Sequence, residues 1–287
     1  MIATVRSIGV IPDTFRDLAR KLLHDIPNQF KLIYAACDCY LEMSIKNAER
    51  QFRGEPDKFI IKTPDIRVPP DFKRFLSNGD NKERLFELIE EVWVQEKMSI
   101  GERVIYFARK DKCTQITWNQ SVPAPELDTN HEEADTKMCY LLNHALQGNI
   151  TQENTCVLRS SSGDTDIPII LLANEQRNLR IFIDNGTGKS RRLLDLSACN
   201  LSDRQKQALL GLHSFTGNDY VSSFLRKGKK ACWKLMQDNQ EFLTIFSNLG
   251  TTMEVSEQTM AGLNKYVCHL YGEKRKTSVD VARRKLF

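Results

Sequence analysis

Short apolar runs of strand length alternate with amphipathic helical stretches through the first two-thirds of the chain, and helical patterns alone fill the rest. That order restricts the fold class: alternating strands and helices build an α/β layer, and a purely helical tail adds an extension to it. The strand-like runs begin with Phe30-Lys-Leu-Ile-Tyr-Ala-Ala-Cys37, a buried strand that ends at Asp38. Arg103-Val-Ile-Tyr-Phe-Ala108 and residues 113–118 follow, separated by the charged Arg109-Lys-Asp-Lys112 as in a hairpin. Residues 155–159 and 179–183 read as two more strands, and residues 167–173 are apolar enough for strand or helix. Between these, residues 14–26 carry Phe15, Leu18, Leu22 and Leu23 at helical spacing, with Asp13 or Thr14 as cap. Residues 81–98 place Leu85, Leu88, Ile89 and Val92 on one stripe. A short helix over 44–53 closes at Gly54, residues 60–70 form a proline-rich connector, and a helix over about 130–146 follows Pro123 and Pro125. Residues 202–212, 229–236, 241–249 and 257–270 all read as helices.

Composition narrows the classes further. Hydrophobic residues at 41% and charged residues at 27% suit a globular chain and exclude a disordered or collagen-like one. With 41 Lys and Arg against 37 Asp and Glu, the net charge is only +4, so any nucleic-acid surface must come from local clustering. The longest nearly apolar run, residues 167–173, falls far short of the roughly 20 residues that cross a bilayer. No membrane partner is expected. The start also lacks the charged and apolar regions of a signal peptide, so the chain reads as intracellular. The 8 cysteines are scattered and include no Cys-x-x-Cys pair, which favours free thiols over disulfides or zinc.

The carboxylates that end strands or open helices form the more informative pattern. Asp38 ends the first strand; Glu132, Glu133 and Asp135 open the helix after the prolines. Asp164 and Asp166 follow the strand at 155 through Ser160-Ser-Ser-Gly163, and Asp219 lies in Phe215-Thr-Gly-Asn-Asp-Tyr220. Ligand sites in open α/β sheets form at the carboxyl ends of strands. Several carboxylates on one rim repel unless cations neutralise them, and magnesium prefers hard oxygen ligands. Two such ions about 4 Å apart suit phosphodiester displacement. Taken singly, each acid is better explained as a turn former or as an answer to a helix dipole; the metal reading comes from the set taken together.

The ordered set Glu133-Ala134-Asp135, Asp164-Thr165-Asp166 and Gly217-Asn218-Asp219-Tyr220 resembles the acidic motifs of the flap-endonuclease branch of PIN-like nucleases. Leu32-Ile-Tyr-Ala-Ala-Cys-Asp38 resembles that family's second acidic strand, and Lys46, Arg50 and Arg53 resemble the basic residues that grip the substrate phosphate after it. The resemblance implies a PIN-like, mainly parallel sheet flanked by helices over residues 1–200, with a helical extension over 201–287. It also implies a nuclease that hydrolyses phosphodiester bonds in structured DNA or RNA. Two Mg2+ or Mn2+ ions would be held, directly or through water, by Asp38, Glu133, Asp135, Asp164, Asp166 and Asp219. Positions 133 and 135 lie about 200° apart on a regular helix, whereas Glu132 and Asp135 share a face; the resemblance selects Glu133. The family's first strand, ending in Asp, has no counterpart in residues 1–14. An N-terminally truncated gene product would look like this. So would the alternative reading, a catalytically inactive PIN-like scaffold that binds nucleic acid or protein.

Lys46, Arg50 and Arg53 line one helix face, for phosphate or for solvent. Arg226, Lys227, Lys229, Lys230 and Lys234 bring five cations within nine residues and no acid. With Gly228 just before a helix, this segment resembles the helix-turn-helix element that holds the duplex backbone in flap endonucleases, so Lys227, Lys229 and Lys230 are expected at phosphates. Asp184-Asn-Gly-Thr-Gly-Lys-Ser190 imitates a P-loop, but Ile183 stands where its first glycine belongs. Asp164-Thr-Asp166 also imitates the nucleophile loop of haloacid-dehalogenase-type phosphatases, without the direct strand connection that chemistry needs. His131 and His213 are lone histidines, for which capping or packing is the commoner role. The basic runs Lys274-Arg-Lys276 and Arg283-Arg-Lys285 suit a nuclear address or a solvated tail equally.

Overall fold

The computed structural model describes residues 1–40, 58–147, 155–160, 165–174, 180–186, 188–218 and 221–286, and these are of mixed α/β class. They divide into two units: Met1–Asp164 with Ile183–Leu194, and Thr165–Phe182 with Asp195–Phe287. The helix expected over 44–53, with Lys46, Arg50 and Arg53, lies outside the described residues, as do Asp164 and Asp219.

In the first unit a short α1 (Ile2–Arg6) precedes α2 (Phe15–His24). Of the two candidate caps, Thr14 is the one used: its hydroxyl accepts from the Asp17 N–H at 3.1 Å. The apolar stripe then buries Phe15, Leu18, Leu22 and Leu23 completely or nearly so. After α3 (Phe72–Phe75), the helix expected over 81–98 forms as α4 (Gly79–Gln95), capped by Asn78, whose side chain accepts from the Asn81 N–H at 3.0 Å. Trp93 of α4 donates its indole N–H to the Ala19 carbonyl of α2 at 2.8 Å, so the two apolar stripes are pinned together by a satisfied polar group. The connector is irregular but ordered by backbone bonds, Phe15 N–H to Ile66 O at 3.2 Å and Val68 N–H to Asp13 O at 2.8 Å.

Four strands form one sheet in chain order: β1 (Leu32–Ala36), β2 (Val104–Arg109), β3 (Lys112–Ile116) and β4 (Ser121–Pro123). β1 runs parallel to β2, with Leu32 opposite Val104 and Ala36 opposite Ala108. β2 and β3 are the expected hairpin, Arg109 opposite Lys112, and Lys110 in the turn takes φ 52°. β3 and β4 are also antiparallel. The expectation of a mainly parallel sheet is therefore corrected here: this sheet is mixed, with one parallel pairing in three. The physical cause is the tight turn at 110–111, which returns the chain directly and leaves no room for a crossover helix.

Alternation along β1 and β2 divides the core. Ala35, Ile105 and Phe107 face α2 and α4, while Ala36, Tyr106 and Ala108 pack with Cys113, Leu127 and Leu141. Leu141 belongs to α5 (Ala134–Gln147), the helix expected after the prolines. Arg109 at the end of β2 donates to Glu90 at 3.0 Å and to Glu83 at 3.2 Å, both on α4.

β5 (Thr155–Ser160), β6 (Arg180–Asn185) and β7 (Arg192–Asp195) form a separate three-stranded sheet in that order. The P-loop imitation falls in its last turn. Asp184 there is 6% exposed, receives Arg191 Nε and Nη2 at 2.7 Å each, and also pairs with Arg159.

The second unit is helical: α6 (Asp166–Ala173), α7 (Asp203–Phe215), α8 (Lys229–Met236), α9 (Gln240–Asn248), α10 (Glu257–Leu270) and α11 (Val279–Leu286). The apolar run at 167–173 is thus a helix, and Pro168 is tolerated in its first turn, where its missing N–H has no partner to lose. The core gathers Leu212, Cys232, Met236, Phe242, Phe246 and Tyr266. Gly211 permits the close approach of α7 and α9, since a Cβ there would stand 2.3 Å from the Phe246 carbonyl oxygen. All eight cysteines are free, four of them buried. No helix of the described residues is long and apolar enough to cross a membrane.

Candidate functional site

Two of the sequence-predicted acids make long-range contacts, one in each unit: Asp38 meets the turn that carries Glu133 and Asp135, and Asp166 meets His213. In the first unit, Asp38 follows the end of β1 and meets the start of α5. Its Oδ1 accepts the Ala134 N–H at 3.0 Å, and its Oδ2 accepts the Tyr40 hydroxyl at 3.2 Å. Cys39 N–H adds a backbone bond to the Glu132 carbonyl at 2.8 Å. Asp38 therefore supplies, from 96 residues away, the carboxylate that the exposed N–H groups at a helix start attract. This brings Asp38 to the Glu133–Asp135 turn. Tyr40 is itself held, its ring 6.4 Å from that of Phe86 and beneath the Lys82 ammonium at 4.2 Å.

Beneath this contact lies Lys137, 0% exposed. Its ammonium donates to the Cys37 carbonyl at 3.0 Å and to the Lys110 carbonyl at 2.8 Å, so one buried cation ties α5 to the end of β1 and to the β2–β3 turn. Burial pushes the Cys37 thiol up to about 12, although the Met1 amino group and the Lys137 ammonium pull the other way. Cys37 is accordingly a neutral packing group at physiological pH, not a thiolate nucleophile or metal ligand.

In the second unit, Asp166 opens α6 and its Oδ1 stands 2.8 Å from His213 Nε2 on the last turn of α7. The His213 side chain is 13% exposed and that of Asp166 55%. Lys229, at the start of α8, donates its ammonium to the His213 carbonyl at 2.8 Å and to the Gly217 carbonyl at 2.7 Å. Partial burial lowers Lys229 from the usual lysine range, against the opposing pull of Asp166. Gly217 takes φ 110°, and a Cβ there would come within 2.8 Å of Ser223 Cα, so this turn demands glycine. Asn218 closes the turn by accepting the Val221 N–H at 2.9 Å.

Other sequence-predicted residues take different places. Lys229 caps the carbonyls that end α7, a role a cation plays well at a helix C-terminus, rather than standing open for phosphate. Lys227 holds its ammonium 5.5 Å from the Tyr271 ring centre, and Lys230 is exposed. His131 stacks loosely with Tyr140, ring centres 5.9 Å apart. Among the described residues, no three of His, Cys, Asp and Glu stand close enough together to hold a metal ion. No family model, curated protein or solved structure matches the chain. The site must therefore be read from its own chemistry.

Sequence reasoning missed two residues of these clusters, Tyr40 and Lys137, and read His213 as a lone histidine without its partner. A lysine four residues after Glu133 signals a surface pair, and nothing local announces that it turns inward. His213 had one usable signal, its position four residues before Gly217-Asn218-Asp219.

Proposed function

We propose that the chain is a PIN-like, divalent-metal-dependent nuclease acting on phosphodiester bonds in structured DNA or RNA. The observation that supports this reading most is the bond from the Ala134 N–H to Asp38, because it unites the first and second acidic motifs in the order the flap-endonuclease resemblance requires. A second support is the Asp166–His213–Lys229–Gly217 chain of contacts, which links the third motif to the loop of the fourth within the second unit.

Hard carboxylate oxygens suit Mg2+ or Mn2+. The described donors do not by themselves make up a binding set, and Asp164 and Asp219, the two that would add to it, lie outside the described residues. When bound, the ion would polarise the phosphoryl group and activate water. In this reading the protein's own residues contribute as follows. Asp38 fixes the start of α5, His213 holds one oxygen of Asp166, and Lys227 and Lys230 attract phosphate. The test incubates purified full chain with Mg2+ or Mn2+ and labelled flap, hairpin and single-strand substrates. Cleavage that Asp164→Ala abolishes is expected, and equal background in both proteins overturns the enzyme reading.

A second reading, the non-catalytic scaffold, is favoured by one observation. Both oxygens of Asp38 already accept protein hydrogen bonds, from the Ala134 N–H and the Tyr40 hydroxyl. Calorimetric titration with magnesium separates the two: two-ion binding lost in Asp166→Asn supports the nuclease, and no binding supports the scaffold.

A further inference from the structure

The basic segment 226–230 and the basic run 274–276 are 44 residues apart in sequence, counting from Lys230 to Lys274, yet they meet at one aromatic ring. Tyr271 ends α10. Its hydroxyl donates to the Leu225 carbonyl at 3.2 Å, its ring lies 6.5 Å edge-on from that of Phe224, and Lys227 sits over its face. The chain then turns at Gly272 and runs directly into Lys274, Arg275 and Lys276. Arg226, Lys230, Lys274 and Arg275 are exposed. Among the described residues, no ion pair engages any of these four, while the single acid of the run, Glu273, already has a partner.

We propose that Arg226, Lys227, Lys230, Lys274, Arg275 and Lys276 form one continuous phosphate-binding surface, organised by Tyr271, for the backbone of a nucleic acid. The assignment of nucleic acid as the partner rests on the function proposed above. The physical grounds are on the surface itself. Six cations against one carboxylate, Glu273, give these two segments a local positive potential that the near-neutral chain as a whole lacks. Their spread over two segments offers several separate charges, as binding a run of phosphates needs. Lys229, by contrast, is excluded from the surface because its ammonium caps α7. An anionic membrane would also attract cations. It favours an amphipathic helix with an apolar face beside the charge, and here Leu225 is the only large exposed apolar side chain in the two segments.

Fluorescence anisotropy of the full chain tests this, with a labelled single strand and its duplex, in chelator so that cleavage plays no part. Salt is varied from about 50 to 200 mM. Two charge-neutralised variants are compared with the parent: Arg226→Gln with Lys230→Gln, and Lys274→Gln with Arg275→Gln and Lys276→Gln. Each should weaken binding about tenfold or more. Each should also flatten the slope of log affinity against log salt by about 0.7 to 0.9 per contact removed. An unchanged slope in either variant overturns the joined surface, as does a parent chain that binds neither probe. Stronger binding to phosphatidylserine vesicles than to either nucleic acid overturns the choice of partner. A chain that binds as expected but never cleaves with metal leaves this surface standing and removes only the nuclease reading.

Discussion

Replacing Asp38 separates its structural work from any catalytic work. The carboxylate makes two hydrogen bonds, to the Ala134 N–H at 3.0 Å and from the Tyr40 hydroxyl at 3.2 Å. Loss of a side-chain acceptor at a helix start costs about 0.5–2 kcal/mol. The negative charge facing the helix dipole adds about 0.3–1 kcal/mol. The longer, half-exposed tyrosine bond adds at most about 1 kcal/mol. Asp38→Ala should therefore lower stability by about 1–4 kcal/mol. Asp38→Asn keeps an acceptor oxygen for Ala134 and turns an amide N–H toward the Tyr40 hydroxyl, which can rotate to accept it, so the main loss is the charge and should stay below about 1 kcal/mol. Urea unfolding at constant m-value measures both. If Asn and Ala destabilise equally, acceptance by the Asp38 oxygen is not what holds α5, and the reasoning fails. If Asn is nearly as stable as the parent yet cleavage disappears, the carboxylate has a second task that its amide cannot perform.

Two further outcomes follow from buried charge. Lys137→Ala removes two hydrogen bonds from a charged donor, about 1.5–3 kcal/mol each, and leaves a cavity; relief of the ammonium's desolvation offsets only part of this. A loss of at least about 2 kcal/mol in urea unfolding is expected, and parental stability would show that the Cys37 and Lys110 carbonyls find other partners. For Asp184, burial alone would raise the carboxyl, but hydrogen bonds from Arg191 and Arg159 outweigh it and hold the group below the usual range. Its folded value lies below its unfolded value of about 3.9, so its stabilisation is present above that pH and is lost as pH falls through the folded value. Asp184→Asn should thus be weaker than the parent near neutrality and converge with it below about pH 4; a gap that persists in acid refutes the ion-pair account.

Much of the fold could be read in the residues, and the reason is locality. Phe15 to Leu23 and Leu85 to Val92 repeat within a helical turn or two, and the charged Arg109-Lys-Asp-Lys112 sits between two β-rich runs, so α2, α4 and the hairpin declare themselves. The partner of a strand that no tight turn leads into does not. The hairpin implies one antiparallel pairing, but nothing in Ser121 to Pro123 announces a second, so the balance of parallel and antiparallel pairings is not legible. Short pieces such as β4, which includes Pro123, and β7, with Leu193 and Leu194 both exposed, carry no alternation long enough to detect. The sites divide the same way. Asp38, Glu133, Asp135 and Asp166 were visible as acids at element ends, whereas Lys137 acts across 100 residues from Cys37 and His213 across 47 from Asp166.

That division bears on what clustered acids mean. Convergent carboxylates call for divalent cations where nothing else answers them, because like charges in one place repel. In both units the protein supplies an answer of its own. A helix start and a tyrosine hydroxyl receive Asp38, and His213 receives Asp166. The helix-start contact and its dipole together supply about 1–3 kcal/mol, comparable with the repulsion between two half-exposed carboxylates about 6 Å apart at an effective dielectric near 20. Acid convergence alone therefore no longer argues for a metal. An ion that binds must compete with these contacts, so its binding should loosen them. Magnesium titration followed by the ring protons of Tyr40 and His213 detects that competition directly. Shifts at both rings that saturate together with the calorimetric isotherm would show the ion displacing protein donors, and heat without any ring response would show it binding somewhere else.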